Sequence, residues 1–186
     1  MLKTVATSSA LLLSGIATAA PITYSVDPDH TYPHFAISHL GFSTMHGRFN
    51  KTEGTIVIDQ EAKTGAVDIA ISAKSIDTGH KKRDEHLRSP DFLNVEEFPK
   101  ITYKSTKVTI DGDTATVEGD LTISGTTEPV TLDVSNISCG IHPFNKKEVC
   151  GFEATATIKR SDFGITYGSP AIGDDMELTI SAEAVK

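Results

Sequence analysis

An all-β fold, an eight-stranded antiparallel barrel with a short helical insertion between strands, is what this sequence predicts, and three observations predict it. The first is period-2 alternation. From Ala115 to Ser124 the odd positions Ala115, Val117, Gly119, Leu121 and Ile123 are small or apolar, and every even position is polar. That is the signature of a strand with one dry face and one wet face. The pattern recurs at Val67/Ile69/Ile71/Ala73, Val130/Leu132/Val134, Phe152/Ala154/Ala156/Ile158 and Leu178/Ile180/Ala182/Ala184. The second observation is that short Gly-, Asn- or Pro-containing loops join these segments as consecutive hairpins. The third is that the alternation fails over one long charged stretch, residues 77–92. Many one-sided strands must curl around a shared interior, as a sandwich or a barrel. Hairpins rather than Greek-key crossovers favour the barrel, which leaves no free edge and, at eight strands, holds packed side chains or one small ligand.

The elements follow in order. Lys3, the apolar run 10–16 and the A-x-A site Ala17-Thr18-Ala19 read as a secretory signal peptide over residues 1–19, leaving 20–186 as one domain. The apolar run is far below the roughly 20 residues that span a bilayer. Strands are expected over 22–26, 34–40 and 44–59, with a turn fixed by Pro28 and a bend near 51–54. A hairpin at 60–65 leads to a strand over 66–74. Within 77–92, residues 82–88 fit a short helix with Leu87 as its apolar contact and Pro90 as its stop. Strands over 100–110, 114–124, 129–139, 150–160 and 177–185 follow, the first two joined by the turn Asp111-Gly112-Asp113. Residues 161–173 form the other long irregular stretch.

Composition excludes several functions. With 17 basic and 25 acidic residues the net charge is -8, which argues against nucleic acid and against docking on anionic headgroups. Trp is absent and aromatics are sparse, so no stacking platform for bases or sugars is indicated. The two cysteines, Cys139 and Cys150, bracket a polar loop. In an oxidising compartment they are expected to pair across the base of a hairpin. The rival, a metal pair with His142 nearby, lacks a fourth ligand.

Three segments carry a family likeness: D-P-D-H-T-Y-P-H-F-A-I-S-H-L-G-F (27–42) with G-R-F (47–49), S-I-D-T-G-H-K-K-R-D-E-H-L-R-S-P-D-F-L-N (75–94), and I-K-R-S-D-F-G-I (158–165). Between them lie F-P-K-I-T-Y-K-S (98–105) and L-T-I-S-G-T-T-E-P-V-T-L (121–132). The ordered set, with R-D-x-H-L-R-S-x-D-F at its centre, closely resembles the YceI-like family of exported proteins. The resemblance implies a lipocalin-like barrel, a periplasmic location and no established catalysis. It also implies a long polyisoprenoid chain, such as a quinone or polyprenyl-phosphate tail, held inside the barrel. Two departures stand out: Thr31 replaces the Ser that often follows the first His, and the cysteine pair lies outside the family's core pattern.

Binding such a tail needs a dry tube. Candidate lining residues are Phe35, Ile37, Phe42 and Phe49, then Ile69 and Ile71, then Leu121, Ile123, Leu132, Phe152 and Ile158. Phe92, Phe163 and Ile165, from the two irregular stretches, are placed at a mouth. Each is equally readable as ordinary core. Small residues on the apolar faces (Ala73, Gly119, Ala154, Ala156, Ala182, Ala184) are expected to leave space unfilled. His39 shares parity with Phe35 and Ile37 and is expected to point inward, to meet a headgroup or to be a hydrogen-bonded core histidine. His34, an odd number of residues away, faces the other side, so the pair cannot serve one metal without a bulge. Arg83, Asp84, His86 and Arg88 read as a salt-bridged helix plugging the barrel, with Asp84 and Arg88 spaced i,i+4, or as a headgroup contact at its mouth. Arg160 is expected to pair with a carboxylate at a corner that Gly164 tightens.

The expected function is thus a binding protein with no cofactor and no metal, its partner a long apolar lipid. The rivals are an exported enzyme acting on a small apolar substrate through His/Asp groups such as His86 and Asp84, and an interaction module with an incidental cavity. No G-x-S-x-G elbow accompanies the first rival. The oligomeric state is left open, a homodimer included.

Overall fold

The computed structural model describes residues 20–186, so the signal-peptide reading of residues 1–19 lies outside the described residues. Eleven strand segments form: β1 (Ile22–Val26), β2 (Tyr32–His39), β3 (Ser43–Phe49), β4 (Thr52–Asp59), β5 (Thr64–Ser72), β6 (Ile76–Asp77), β7 (Lys100–Asp111), β8 (Thr114–Ile123), β9 (Thr126–Ile141), β10 (Glu148–Lys159) and β11 (Ile172–Val185). A short helix, α1 (Lys81–Leu87), and 3-10 turns at Ala73–Ser75 and Arg160–Phe163 complete the described residues.

The eleven segments make eight barrel strands, because three strands are each broken once. Antiparallel to β3 and β4 run β2 and β1, and β5 continues through a 3-10 turn into β6. From β5 the order runs β7, β8, β9, β10, β11 as a meander. Both β1 and β2 pair with β11, through Ser25↔Val185 and Leu178↔Phe35 among others. The ring is therefore closed: an antiparallel eight-stranded barrel with one short helical insertion.

Local features mark two of the breaks. Between β1 and β2, Pro28 removes a donor, and the Asp27 carboxylate accepts from the Asp29 amide at 2.9 Å. The seam is stitched again by Thr31, whose Oγ1 donates to the Glu183 carbonyl (3.2 Å) and accepts from the Glu183 amide (3.1 Å). The bend expected near residues 51–54 falls between β3 and β4. Just inside β4, Gly54 has φ +150, and a Cβ on it would sit 2.2 Å from the Asp68 carbonyl oxygen, so only glycine permits this approach.

Inward residues of β4, β7 and β8 (Ile56, Ile58, Ile101, Tyr103, Val117, Leu121) form the buried core. Gly119 does not leave space there, contrary to expectation. Its missing Cβ is the room for the Tyr103 ring, whose Cζ would lie 2.7 Å from that Cβ. The Tyr103 hydroxyl is shared between the Val117 and Val130 carbonyls at 2.9 and 3.0 Å. Ala73 and Ala184 are likewise buried in packed structure. Cys139 and Cys150 oppose one another in the β9–β10 register and are disulfide-bonded, at the hairpin base the sequence indicated.

Candidate functional site

A cavity of about 450 Å³ lies inside the barrel, within the size range of sites that hold small ligands, roughly 300 to 1,000 Å³. Its walls follow from strand parity. From β2 and β3 come Phe35, Ile37, His39 and Phe49; from β5, Ile69 and Ile71; from β8 and β9, Leu121, Ile123 and Leu132; from β10, Phe152 and Ile158. Phe92, Phe163 and Ile165 reach it from the two irregular segments. Among the small residues, Ala154 and Ala182 face this space. Ala156 does not line it and packs half-buried against the core instead.

Phe42 is the exception among the candidate residues. It lies outside the lining, 90% exposed. Leu40 (φ 56) and Gly41 (φ 72) turn the chain through left-handed conformations, so the alternation that places Phe35 and Ile37 does not carry across to residue 42.

α1 borders one end of the cavity and lends it Arg83, His86 and Leu87. Its short sequence of good helix formers starts at His80, whose Nδ1 accepts from the Arg83 amide at 3.3 Å. The expected Asp84–Arg88 ion pair is not what holds it. Asp84 is buried and accepts from the amide and hydroxyl of Thr78. Arg83 donates through Nε to Thr78 Oγ1 and through Nη2 to the Thr78 carbonyl, both at 2.7 Å. Arg88 donates to the carbonyls of Lys74 (2.8 Å) and Ile76 (2.7 Å). Carbonyls of the 3-10 turn and of the two-residue β6 that follows it are better partners for a multi-donor guanidinium than a carboxylate already satisfied by Thr78.

The second irregular segment is pinned from within. Arg160 is 3% exposed, and it too avoids carboxylates. Nε donates to Gly173 O (2.7 Å), Nη1 to Ile165 O (3.1 Å) and Tyr167 O (2.8 Å), and Nη2 to Ile172 O (3.2 Å). The corner carboxylate is Asp174, which accepts from the amide and hydroxyl of Ser161. The Ser161 hydroxyl is the main reason its carboxyl is held below the usual range.

Where these segments meet, His86, Phe92 and Tyr167 form a ring cluster with centroids 5.0 to 5.2 Å apart. His34, expected on the face away from His39, borders the cavity as well. Of the lining residues, His34, His46, His86 and Tyr167 are the ones that stay exposed, so the cavity meets solvent between the β2–β3 hairpin, α1 and the loop 164–171. Beside β3 the wall is completed partly by Thr78, whose Cγ2 would lie 2.9 Å from a Cβ on Gly47, because β6 pairs only with Arg48 and Phe49.

Sequence reasoning missed Tyr103 and Tyr167. Tyr103 alternates with Ile101 on β7 and was findable by parity. Tyr167 sits in an irregular loop, where no periodicity could mark it. Away from the cavity, ligating atoms of Asp27, His30 and Glu183 lie within 4.8 Å of one another, and His30 Nδ1 is 2.9 Å from Asp27 Oδ2. That contact holds the Asp27 carboxyl below, and the His30 imidazole above, their usual ranges. No helix among the described residues is long and apolar enough to cross a membrane.

Comparison with known proteins decides the family. A sequence profile described as the YceI-like domain matches residues 24–184. The chain belongs to the YceI-like family. It is 39% identical to a UPF0312 protein of Pseudomonas aeruginosa over 186 residues, covering 100% of this chain and 97% of that one. Among solved structures it resembles BcnA of Burkholderia cenocepacia, with TM-score 0.76 and 22% identity over 86% of this chain and 99% of the other. A polyisoprenoid binding domain from Saccharophagus degradans, implicated in plant cell wall breakdown, shares the fold with TM-score 0.65 at 16% identity, over 87% and 97% of the two chains.

Proposed function

We propose that this YceI-like barrel is a periplasmic binding protein that holds a polyisoprenoid or similar long apolar lipid tail in its cavity, and that it is not an enzyme. The observation that carries the reading is the character of the walls. They are almost wholly aliphatic and aromatic. The two arginines that reach them, Arg83 and Arg160, spend their donors on Thr78 and on main-chain carbonyls. Such a tube rewards hydrocarbon. Each buried CH2 contributes about 0.8 kcal/mol, so a five-carbon isoprene unit contributes roughly 3 to 4 before the cost of ordering the chain. Shape-driven affinity with loose selectivity for length follows.

The name of the Saccharophagus degradans relative, a polyisoprenoid binding domain, supports the ligand class. The leader-like residues 1–19 and the disulfide support an oxidising location outside the cytoplasm. The test is native mass spectrometry of protein purified from its host. A co-purifying species of several hundred daltons, extractable into organic solvent, supports the reading. Ligand-free protein whose turnover of a small apolar substrate disappears in His39→Ala or His86→Ala would replace it with the enzyme reading.

A further inference from the structure

The turn joining β2 to β3 does something that folding alone does not require. Leu40 adopts φ 56, a conformation that leucine rarely takes. Leu40 is 49% exposed and Phe42, two residues on, is 90% exposed. Backbone strain and solvated apolar surface together would select against this pair in a tip that had only to turn the chain. The tip is nevertheless well anchored. The Leu40 amide donates to Ala171 O at 2.8 Å and the Phe42 amide to His39 O at 3.0 Å. It stands at the opening of the cavity, beside the loop that carries Tyr167, itself 49% exposed and part of the lining.

Charge sets this rim apart. In a chain of net charge -8, residues 30–52 contain no Asp or Glu, and neither do residues 164–173. Both of these segments therefore lack the carboxylates that would repel phosphate headgroups; on the neighbouring α1 the exposed Lys81 and Lys82 outnumber the exposed Glu85, and Asp91 beside the mouth is paired with His86 at 2.9 Å. From these observations we infer that the Leu40–Phe42 tip inserts into the headgroup region of a phospholipid bilayer and docks the cavity mouth on the membrane. This rests on the tail-binding reading above. A polyisoprenoid resides in a bilayer rather than in water, so a mouth seated at the lipid surface lets the tail slide between two apolar phases. Amphipathic aromatic and aliphatic side chains at the interface are the ordinary means of such docking.

The absence of tryptophan in the chain gives a clean assay. Phe42→Trp is compared with Phe144→Trp, whose site is 87% exposed on the hairpin between β9 and β10 at the opposite end. Each is mixed with vesicles of phosphatidylcholine and phosphatidylethanolamine. The expected result is a blue-shifted emission for Phe42→Trp alone, with vesicle-bound protein falling at least on the order of tenfold in Leu40→Ser/Phe42→Ser, since removing even one of the two apolar side chains from a buried position implies that much. Water-like emission from Phe42→Trp with vesicles, or equal shifts from both reporters, overturns the inference. So does a blue shift that appears without vesicles and grows with protein concentration, which would mean that a second copy covers the tip. The same proteins are offered a long-chain polyprenol as the tail in detergent micelles. If the tail binds there while Phe42→Trp ignores vesicles, docking alone fails; if it does not bind there either, the tail-binding reading fails as well.

Discussion

Filling the barrel at Ala182 separates a lipid-holding cavity from an idle one. Ala182 lies on β11 opposite Phe152 and faces the cavity. The indole introduced by Ala182→Trp has nine ring atoms, about the ten carbons of two isoprene units. Excluding two units removes a nominal 6 to 8 kcal/mol of hydrocarbon burial, an upper bound. Part of this is returned because the shortened chain is no longer ordered. Even if only a quarter survives, about 2 kcal/mol remains, roughly thirtyfold in affinity. The fold should tolerate the change, because the indole enters empty space rather than packed core. Binding is read as displacement of a fluorescent apolar probe and as lipid retained in native mass spectra, with the melting temperature as the folding control. Thr179→Trp, on the outer face of the same strand, should bind like the parent. Undiminished binding by folded Ala182→Trp protein would refute the assignment of this cavity as the tail site.

Other outcomes follow from the same geometry. Arg160→Met leaves four carbonyls of residues 165–173 without their donors and should destabilise the barrel by about 3 to 5 kcal/mol, read by thermal or urea unfolding; a loss below about 1 kcal/mol contradicts the pinning role. Reducing Cys139–Cys150, which closes a loop of sequence separation 11, should cost about 3 kcal/mol in the chain-entropy model, and Cys139→Ser/Cys150→Ser should show the same loss and no response to reductant. Burial pushes both Tyr24 and Tyr103 up to about 12. A phenol whose folded value is raised gives stability that is complete below its unfolded value near 10 and is lost as pH climbs towards 12. Melting temperature should therefore fall across pH 10 to 12, and less steeply in Tyr24→Phe/Tyr103→Phe; equal slopes would contradict this.

Much of this architecture was legible because strand geometry imposes a period of two. Parity along β8 and β10 put Leu121, Ile123, Phe152 and Ile158 on one wall, and His39 joined Phe35 and Ile37 for the same reason. The helix at Lys81–Leu87 was visible as a lapse of alternation ended by Pro90. Parity fails wherever the backbone leaves the strand. Phe42 followed a left-handed turn and pointed outward, and Tyr167 lay where no period operates. Charged side chains were harder still. Arg83, Arg88 and Arg160 suggested carboxylate partners, yet each was taken by carbonyls that strand breaks and an irregular loop leave unpaired. Such groups carry no sequence signature, since every residue has one. Small residues misled for a related reason: Gly119 makes room for a neighbour's ring rather than for a ligand.

The stitch between Thr31 and Glu183 joins residues 152 positions apart, and this has a kinetic consequence. A ring that shuts by pairing its first stave with its last cannot be completed on a partly synthesised polypeptide. Until the final dozen residues emerge, β2 lacks the neighbour that hides its backbone and the interior stays wet. Contacts of such long range carry a heavy loop-closure cost and form slowly. The newborn chain should therefore remain pliable for as long as it is being made, and trimming a handful of residues from its tail should cost far more than their number suggests.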